Sequence, residues 1–115
     1  MLAAGALLVT AQALHAQSAV QGAQGMGTGM EEGRKLFSAG VPPAPACALC
    51  HALKDAGATG AVGPDLDDLR PDAARIENVL RNGMGPMPAF KSLTDAQVQI
   101  LVRYVTRATG APGSQ

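Results

Sequence analysis

Residues Cys47-Ala48-Leu49-Cys50-His51 read C-x-x-C-H, and this stretch decides both the fold and the chemistry expected of the chain. The pattern is the attachment signature of c-type haem. The two thiols add across the two vinyl groups of the porphyrin, and the adjacent histidine is then held under the iron as its proximal ligand. We therefore predict one covalently bound haem c, held by Cys47, Cys50 and His51.

Two other kinds of site use closely spaced cysteines and remain open as alternatives. A zinc site needs four ligands, and the sequence has no second Cys/His pair to complete one. A thioredoxin-like redox pair needs a strand before the motif within a βαβ unit, whereas a segment with three prolines, Val41–Ala46, precedes it here. Both alternatives fit the surrounding sequence less well than haem attachment does.

A low-spin haem needs a second axial ligand, and the sequence offers few. His15 lies in a predicted export signal, so His51 is the only histidine expected in the mature chain. Met87 has a proline on each side, and a loop stiffened in this way holds a sulfur against iron at little entropy cost. We predict Met87 as the ligand, with gap filling in an apolar pocket as the alternative, and expect Met84 to pack near the haem.

The ends of the chain differ in composition from its middle. Leu2–Leu14 is apolar, has the length of a signal-peptide core and is too short to span a bilayer. We predict a signal peptide over 1–18, cleaved between about positions 13 and 19, then a flexible leader over 19–30, one domain over 31–110 and a tail over 111–115. Export would place the domain in the periplasm. The alternative for the apolar run is a buried helix.

Composition limits what the domain can bind and how it can fold. Its nine basic and nine acidic residues balance, so it has no basic footprint for nucleic acid. Both of its two cysteines lie in the motif, which leaves none for a lipid anchor, so no membrane anchor is expected after signal cleavage.

Two Phe, one Tyr and no Trp make a marginal side-chain core, which a large apolar cofactor would complete. No constellation of catalytic residues is visible, and we predict a carrier rather than an enzyme.

The pattern predicts an all-α domain of three to four helices joined by long loops. Helices are expected over Glu31–Ala39, from near Pro71 as the first helical position to Asn82-Gly83, and after Thr94, which forms a capping box with Gln97. No alternating run of β-branched residues indicates a strand. The last helix is expected to end at Gly110 and to bury one apolar face made of Val98, Leu101, Val102 and Val105.

From Glu31 to Thr109 the order of motifs resembles the class I cytochromes c. The shared features are a helix with Gly33, C-x-x-C-H, Gly-Pro-x-Leu, Met-Pro-x-Phe, and a last helix bearing an aromatic residue. The resemblance implies that Pro64 offers its carbonyl to the Nδ1 proton of His51. It also implies that Gly33 lets the first and last helices cross closely, with Phe37 and Tyr104 packed at the crossing.

A finer resemblance, over residues 31–37, 47–57, 63–66 and 80–83, is to the cytochrome subunit of bacterial periplasmic sulfite dehydrogenase, a molybdenum enzyme. It implies that the chain accepts single electrons from a molybdenum-containing sulfite dehydrogenase subunit and passes them to a downstream cytochrome or terminal oxidase. A free-standing periplasmic carrier is the main alternative. A gas-binding haem protein, in which the methionine loop leaves the iron, is another.

Overall fold

A computed structural model of the chain describes residues 27–112, and in them four helices form the framework. Helix α1 is described over 27–39, α2 is Leu66–Leu69, α3 is Ala73–Asn82 and α4 is Asp95–Thr109. The predicted signal peptide and most of the predicted leader lie outside the described residues. The predicted helical architecture with long loops is confirmed.

A short hairpin, which the sequence did not indicate, follows the C-x-x-C-H motif. Strands β1 (Ala52–Leu53) and β2 (Ala58–Thr59) pair antiparallel, joined by a 3-10 turn over Lys54–Ala56 and by Gly57 at a φ of 63°. Strands of two residues are too short to show an alternating pattern, so only the turn residues could have signalled them. The hairpin brings the chain back toward the motif.

Both ends of the predicted domain extend slightly further than expected. Helix α1 is already helical at residue 27, so Met30, assigned to the leader, lies within it and packs against the core. Ala111, assigned to the tail, is buried, and its N–H donates to the carbonyl of Thr106 over 2.9 Å. Tertiary burial therefore orders residues whose own helix propensity is weak.

Helix α3 begins two residues later than predicted. Asp72 is its N-cap, and the carboxylate accepts a hydrogen bond from the N–H of Arg75 at 2.8 Å. Pro71 therefore lies just before the cap, and the carboxylate of Asp72 satisfies a free N–H of the first turn, as N-cap aspartates do. The helix ends at Asn82, as expected, with Gly83 at a φ of 75°.

Helix α4 has the predicted limits. Thr94 Oγ1 accepts from the N–H of Gln97 at 3.1 Å, and Gln97 Oε1 accepts from the N–H of Thr94 at 2.9 Å, which completes the capping box. Gly110 ends the helix in the left-handed conformation, at a φ of 61°. The predicted apolar face is buried, and it consists of Val98, Leu101, Val102 and Val105.

Helices α1 and α4 cross at Gly33. A Cβ at this position would lie 2.3 Å from the Cβ of Tyr104, so only glycine permits the observed approach. The rings of Phe37 and Tyr104 pack beside the crossing, with centroids 6.0 Å apart and planes inclined at 60°. The crossing implied by the resemblance is therefore present, and Phe37 beside it also lines the main cavity of the domain.

Candidate functional site

A cavity of about 430 Å³ occupies the centre of the domain, in the range of small-molecule and cofactor sites. The structure brings every predicted site residue to its wall. These residues come from three separate segments of the chain, and they are Cys47, Cys50, His51, Pro64 and Met87.

The C-x-x-C-H motif forms a tight turn on this wall. A 3-10 turn spans Cys47–Leu49, and the N–H groups of Cys50 and His51 both donate to the carbonyl of Cys47, at 3.1 and 2.9 Å. The turn directs Leu49 to solvent, where it is 68% exposed, while both cysteines and the histidine line the cavity. Among the described residues no disulfide joins the two cysteines, and burial raises the pKa of the Cys47 thiol to about 11.

The His51 ring is held in one tautomer. Its Nδ1 lies 2.8 Å from the carbonyl oxygen of Pro64. A carbonyl only accepts, so Nδ1 carries the proton and Nε2 keeps its lone pair for a metal. The contact implied by the resemblance is present, and it is the usual arrangement for orienting a ligating histidine.

Two glycines make room for the motif, a role that the sequence analysis missed. A Cβ at Gly63 would lie 2.5 Å from Cε1 of His51, and a Cβ at Gly60 would lie 2.6 Å from the carbonyl carbon of Cys50. The N–H of Gly63 also donates to the carbonyl of Cys50 at 2.7 Å. The only signal in the sequence was the position of Gly63 immediately before Pro64.

The methionine loop forms another part of the wall. Met84 and Met87 exchange backbone hydrogen bonds of 3.0 and 2.9 Å, which makes a tight turn. The N–H of Phe90 also donates a hydrogen bond to the carbonyl of Leu80, and this bond fixes the loop to α3. Both sulfur-bearing side chains line the cavity, but Met87 is half-buried and packs against the core, whereas Met84 is 55% exposed. Ligation by Met87 stays a prediction, and the difference in burial favours it over Met84.

The cavity wall is otherwise almost entirely apolar. Arg75 is the one charged side chain among its lining residues, a feature that the sequence analysis did not single out. The donor set and the volume fit a large apolar metal cofactor, which His51 would hold through a nitrogen and Met87 through a sulfur. Helices α2, α3 and α4 contribute part of the apolar lining, including Leu66, Ile76, Val79, Leu80, Leu101 and Val105.

Two features of residues 27–112 bear on the other predictions. No three His, Cys, Asp or Glu side chains in this part of the chain converge as a metal-binding cluster, so the zinc alternative gains no support there. Among the same residues, no helix combines the length and apolar character needed to cross a bilayer.

Comparisons with known proteins agree with this geometry. The family model described as cytochrome C oxidase, cbb3-type, subunit III matches residues 28–105. The solved structure of the c-type cytochrome SorU from Sinorhizobium meliloti is 44% identical, with a TM-score of 0.66, and the match covers 73% of this chain and 94% of that one. No curated protein matches the sequence.

The fold and the site together define a small c-type cytochrome of class I, which carries electrons. The chain belongs to the cytochrome c family represented by the cbb3-type subunit III model. The predicted family and fold are confirmed.

Proposed function

We propose that this chain is a periplasmic one-electron carrier with a single haem c bound to Cys47 and Cys50 and ligated by His51 and Met87. The observation that carries the proposal is the convergence of these four side chains on one apolar cavity. When bound, the haem supplies an Fe(III)/Fe(II) couple. His51 and Met87 would hold the iron from two sides through a nitrogen and a thioether, so that the group would supply electron transfer rather than bind a substrate.

The residues of the site favour the reduced state. A thioether ligand stabilises iron(II), and the apolar wall disfavours the additional charge of iron(III). The His51–Pro64 hydrogen bond fixes the imidazole in both oxidation states, so little reorganisation accompanies electron transfer. The carrier therefore accepts electrons readily and delivers them to a high-potential cytochrome or terminal oxidase.

We further propose that the electron donor is a molybdenum-containing, sulfite-oxidising subunit. The support is the subfamily resemblance over residues 31–37, 47–57, 63–66 and 80–83, together with the mouth of the cavity. Val62, Leu69 and Met84 line the cavity and are also exposed, by 77%, 37% and 55%. Apolar side chains in this position suit the core of a protein interface close to the cofactor.

Stopped-flow mixing tests this assignment. Ferric cytochrome is mixed with sulfite, with and without the molybdenum subunit, and reduction of the haem is followed. We expect no reduction by sulfite alone and rapid reduction when the subunit is present. Reduction no faster than that of an unrelated class I cytochrome would contradict the assignment and leave a free-standing periplasmic carrier.

Two matched variants locate the contact. Val62→Asp adds a carboxylate at the mouth of the cavity, and Ala96→Asp adds the same group to an exposed position of α4 that does not line the cavity. We expect Val62→Asp to slow reduction by the partner at least tenfold, since a buried unpaired charge costs more than about 1.4 kcal/mol at an interface. Ala96→Asp is expected to react like the wild type, and equal slowing by both variants would contradict docking at the mouth.

A further inference from the structure

Arg75 is unusual because it is a charged residue on an otherwise apolar wall. The titratable side chains that line the cavity are Cys47, Cys50, His51 and Arg75. The first three are assigned to haem attachment and ligation, which leaves Arg75 without a role in the proposed function. No carboxylate of the described chain lines the cavity beside it.

The position of Arg75 is not explained by the helix that bears it. It is the third residue of α3, and a cation in the first turn of a helix opposes the macrodipole. Its backbone N–H contacts the carboxylate of Asp72, but within residues 27–112 no hydrogen bond or ion pair of its guanidinium is present. In contrast, the guanidinium groups of Arg34, Arg70 and Arg81 all have partners in the protein.

The cofactor brings the missing partner. Haem c has two propionate carboxylates, and among residues 27–112 the cavity wall offers them no other arginine or lysine. An arginine guanidinium matches a carboxylate in charge and in hydrogen-bonding geometry, and it remains protonated at any physiological pH. Arg75 and Ile76 lie in the first turn of α3, and Val79 and Leu80 line the same cavity one turn further on, so this face of the helix combines an apolar contact surface with one cationic group.

We propose that Arg75 binds a propionate of the haem and, through its charge, raises the reduction potential. This inference rests on the proposed haem binding and adds a positioning and tuning residue to it. Reduction lowers the charge of the iron centre by one, and a nearby fixed cation stabilises the reduced state relative to the oxidised one. Since Arg75 is exposed to solvent, the effect is expected to be partly screened.

The test compares the midpoint potentials of three variants of the holoprotein at low ionic strength. Arg75→Gln removes the charge, Arg75→Lys keeps it, and Arg103→Gln removes a charge from an exposed position of α4 that does not line the cavity. We expect Arg75→Gln to lower the equilibrium constant for reduction roughly threefold to tenfold. A tenfold decrease corresponds to a midpoint potential lower by about 59 mV. Arg75→Lys should recover most of this loss, and Arg103→Gln should have less than half the effect.

A potential for Arg75→Gln equal to that of the wild type, or an equal shift in Arg103→Gln, would overturn the proposal. Resonance Raman spectroscopy gives a second readout, because the propionate bending bands respond to hydrogen bonding of the carboxylates. These bands should shift in Arg75→Gln and remain in place in Arg103→Gln. If Arg75→Gln does not assemble with haem, the Raman spectrum of Arg75→Lys tests the contact instead. A lysine point charge cannot reproduce a bidentate contact between arginine and a propionate, so the propionate bands should shift. Unchanged bands in Arg75→Lys would contradict such a contact.

Failure of the proposed function would look different. If the wild-type chain holds no covalent haem, or its haem lacks a methionine ligand, the proposed function is refuted before any variant is measured. A wild-type chain with both features and no response to Arg75 substitution would refute only the inference about Arg75.

Discussion

The hydroxyl of Tyr104 donates a hydrogen bond to Asp55 Oδ2 at 2.7 Å, and this bond joins the last helix to the hairpin turn that follows the haem motif. Arg34 of α1 binds the same carboxylate through Nε and Nη2 at 3.0 to 3.1 Å. Asp55 therefore connects three elements, α1, α4 and the turn, at the point where the helices cross. This turn directly follows β1, and β1 directly follows His51.

This cluster predicts a specific loss of stability in acid. The hydrogen bond from Tyr104, and then the Arg34 guanidinium, hold the pKa of the Asp55 carboxyl below its ordinary value. A carboxyl with a depressed pKa in the folded state stabilises the fold above its unfolded pKa of about 4 and loses that contribution as the pH falls through the folded pKa. We expect wild-type stability to decline below about pH 4, with a smaller decline in Asp55→Asn.

Denaturant titrations of the ferric holoprotein at pH 7 and pH 3 measure this effect. At pH 7, Asp55→Asn should lower the free energy of unfolding by about 1–2 kcal/mol, because the buried hydroxyl and the guanidinium lose a charged acceptor. Glu77→Gln is the control, since Glu77 pairs with Arg81 on the surface of the protein and its loss should matter less. Equal effects of the two variants would contradict a special role for Asp55.

The contrast between helix ends and this cluster shows what the sequence could reveal. The capping box of Thr94 with Gln97 and the stop at Gly110 are local patterns, and both were predicted correctly. The partners Asp55 and Tyr104 are 49 residues apart, and no periodicity links them. Their contact follows only from the tertiary packing of the hairpin turn against α4.

Some residues of the site could be identified from the sequence, and others could not. Cys47, Cys50 and His51 were evident because their chemistry requires a fixed spacing along the chain. Arg75 was not, because its position on the cavity wall depends on how α3 packs against the rest of the domain. The short helix α2 was also missed, because its four residues are too few to show a helical period. Arg70 ends this helix as its C-cap, at a φ of 46°.

Gly63 gives a second prediction, because its missing side chain makes room for the His51 ring. In Gly63→Ala the new Cβ would meet Cε1 at 2.5 Å, so the ring must move away from the Pro64 carbonyl. We expect a loss of about 1–3 kcal/mol in the free energy of unfolding, typical of overpacking. The Nδ1 proton of His51, followed by NMR, should exchange faster with solvent.

Gly29→Ala is the control for this experiment. A Cβ at Gly29 in α1 would meet no atom within 4 Å, so the substitution adds a methyl group without a clash. We expect the Nδ1 proton to exchange there at the wild-type rate. Slow exchange in Gly63→Ala as well would show that the ring tolerates the added atom and that Gly63 does not position it.

Covalent attachment of the haem gives a third prediction. Acidic organic solvent should leave haem on the wild-type chain, because thioether bonds survive where axial ligation does not. Replacing both Cys47 and Cys50 with alanine should abolish this retention, and each single replacement should leave one thioether and a shifted haemochrome spectrum. Complete extraction of haem from the wild-type chain would contradict covalent binding.

The axial sulfur gives the last prediction. Met87 is half-buried against the core and Met84 is 55% exposed, although both line the cavity. Removing the half-buried thioether in Met87→Ala should open the sixth coordination position and let the ferrous protein bind carbon monoxide. It should also lower the potential by more than about 59 mV, a factor of ten in a one-electron equilibrium. Met84→Leu is the matched control, since it removes a sulfur and keeps the apolar volume, and its absorption band from methionine-to-iron charge transfer should persist. If that band disappears in the Met84 variant and persists in the Met87 variant, the ligand is Met84, and the tight turn that pairs the two residues presents the exposed sulfur to the iron.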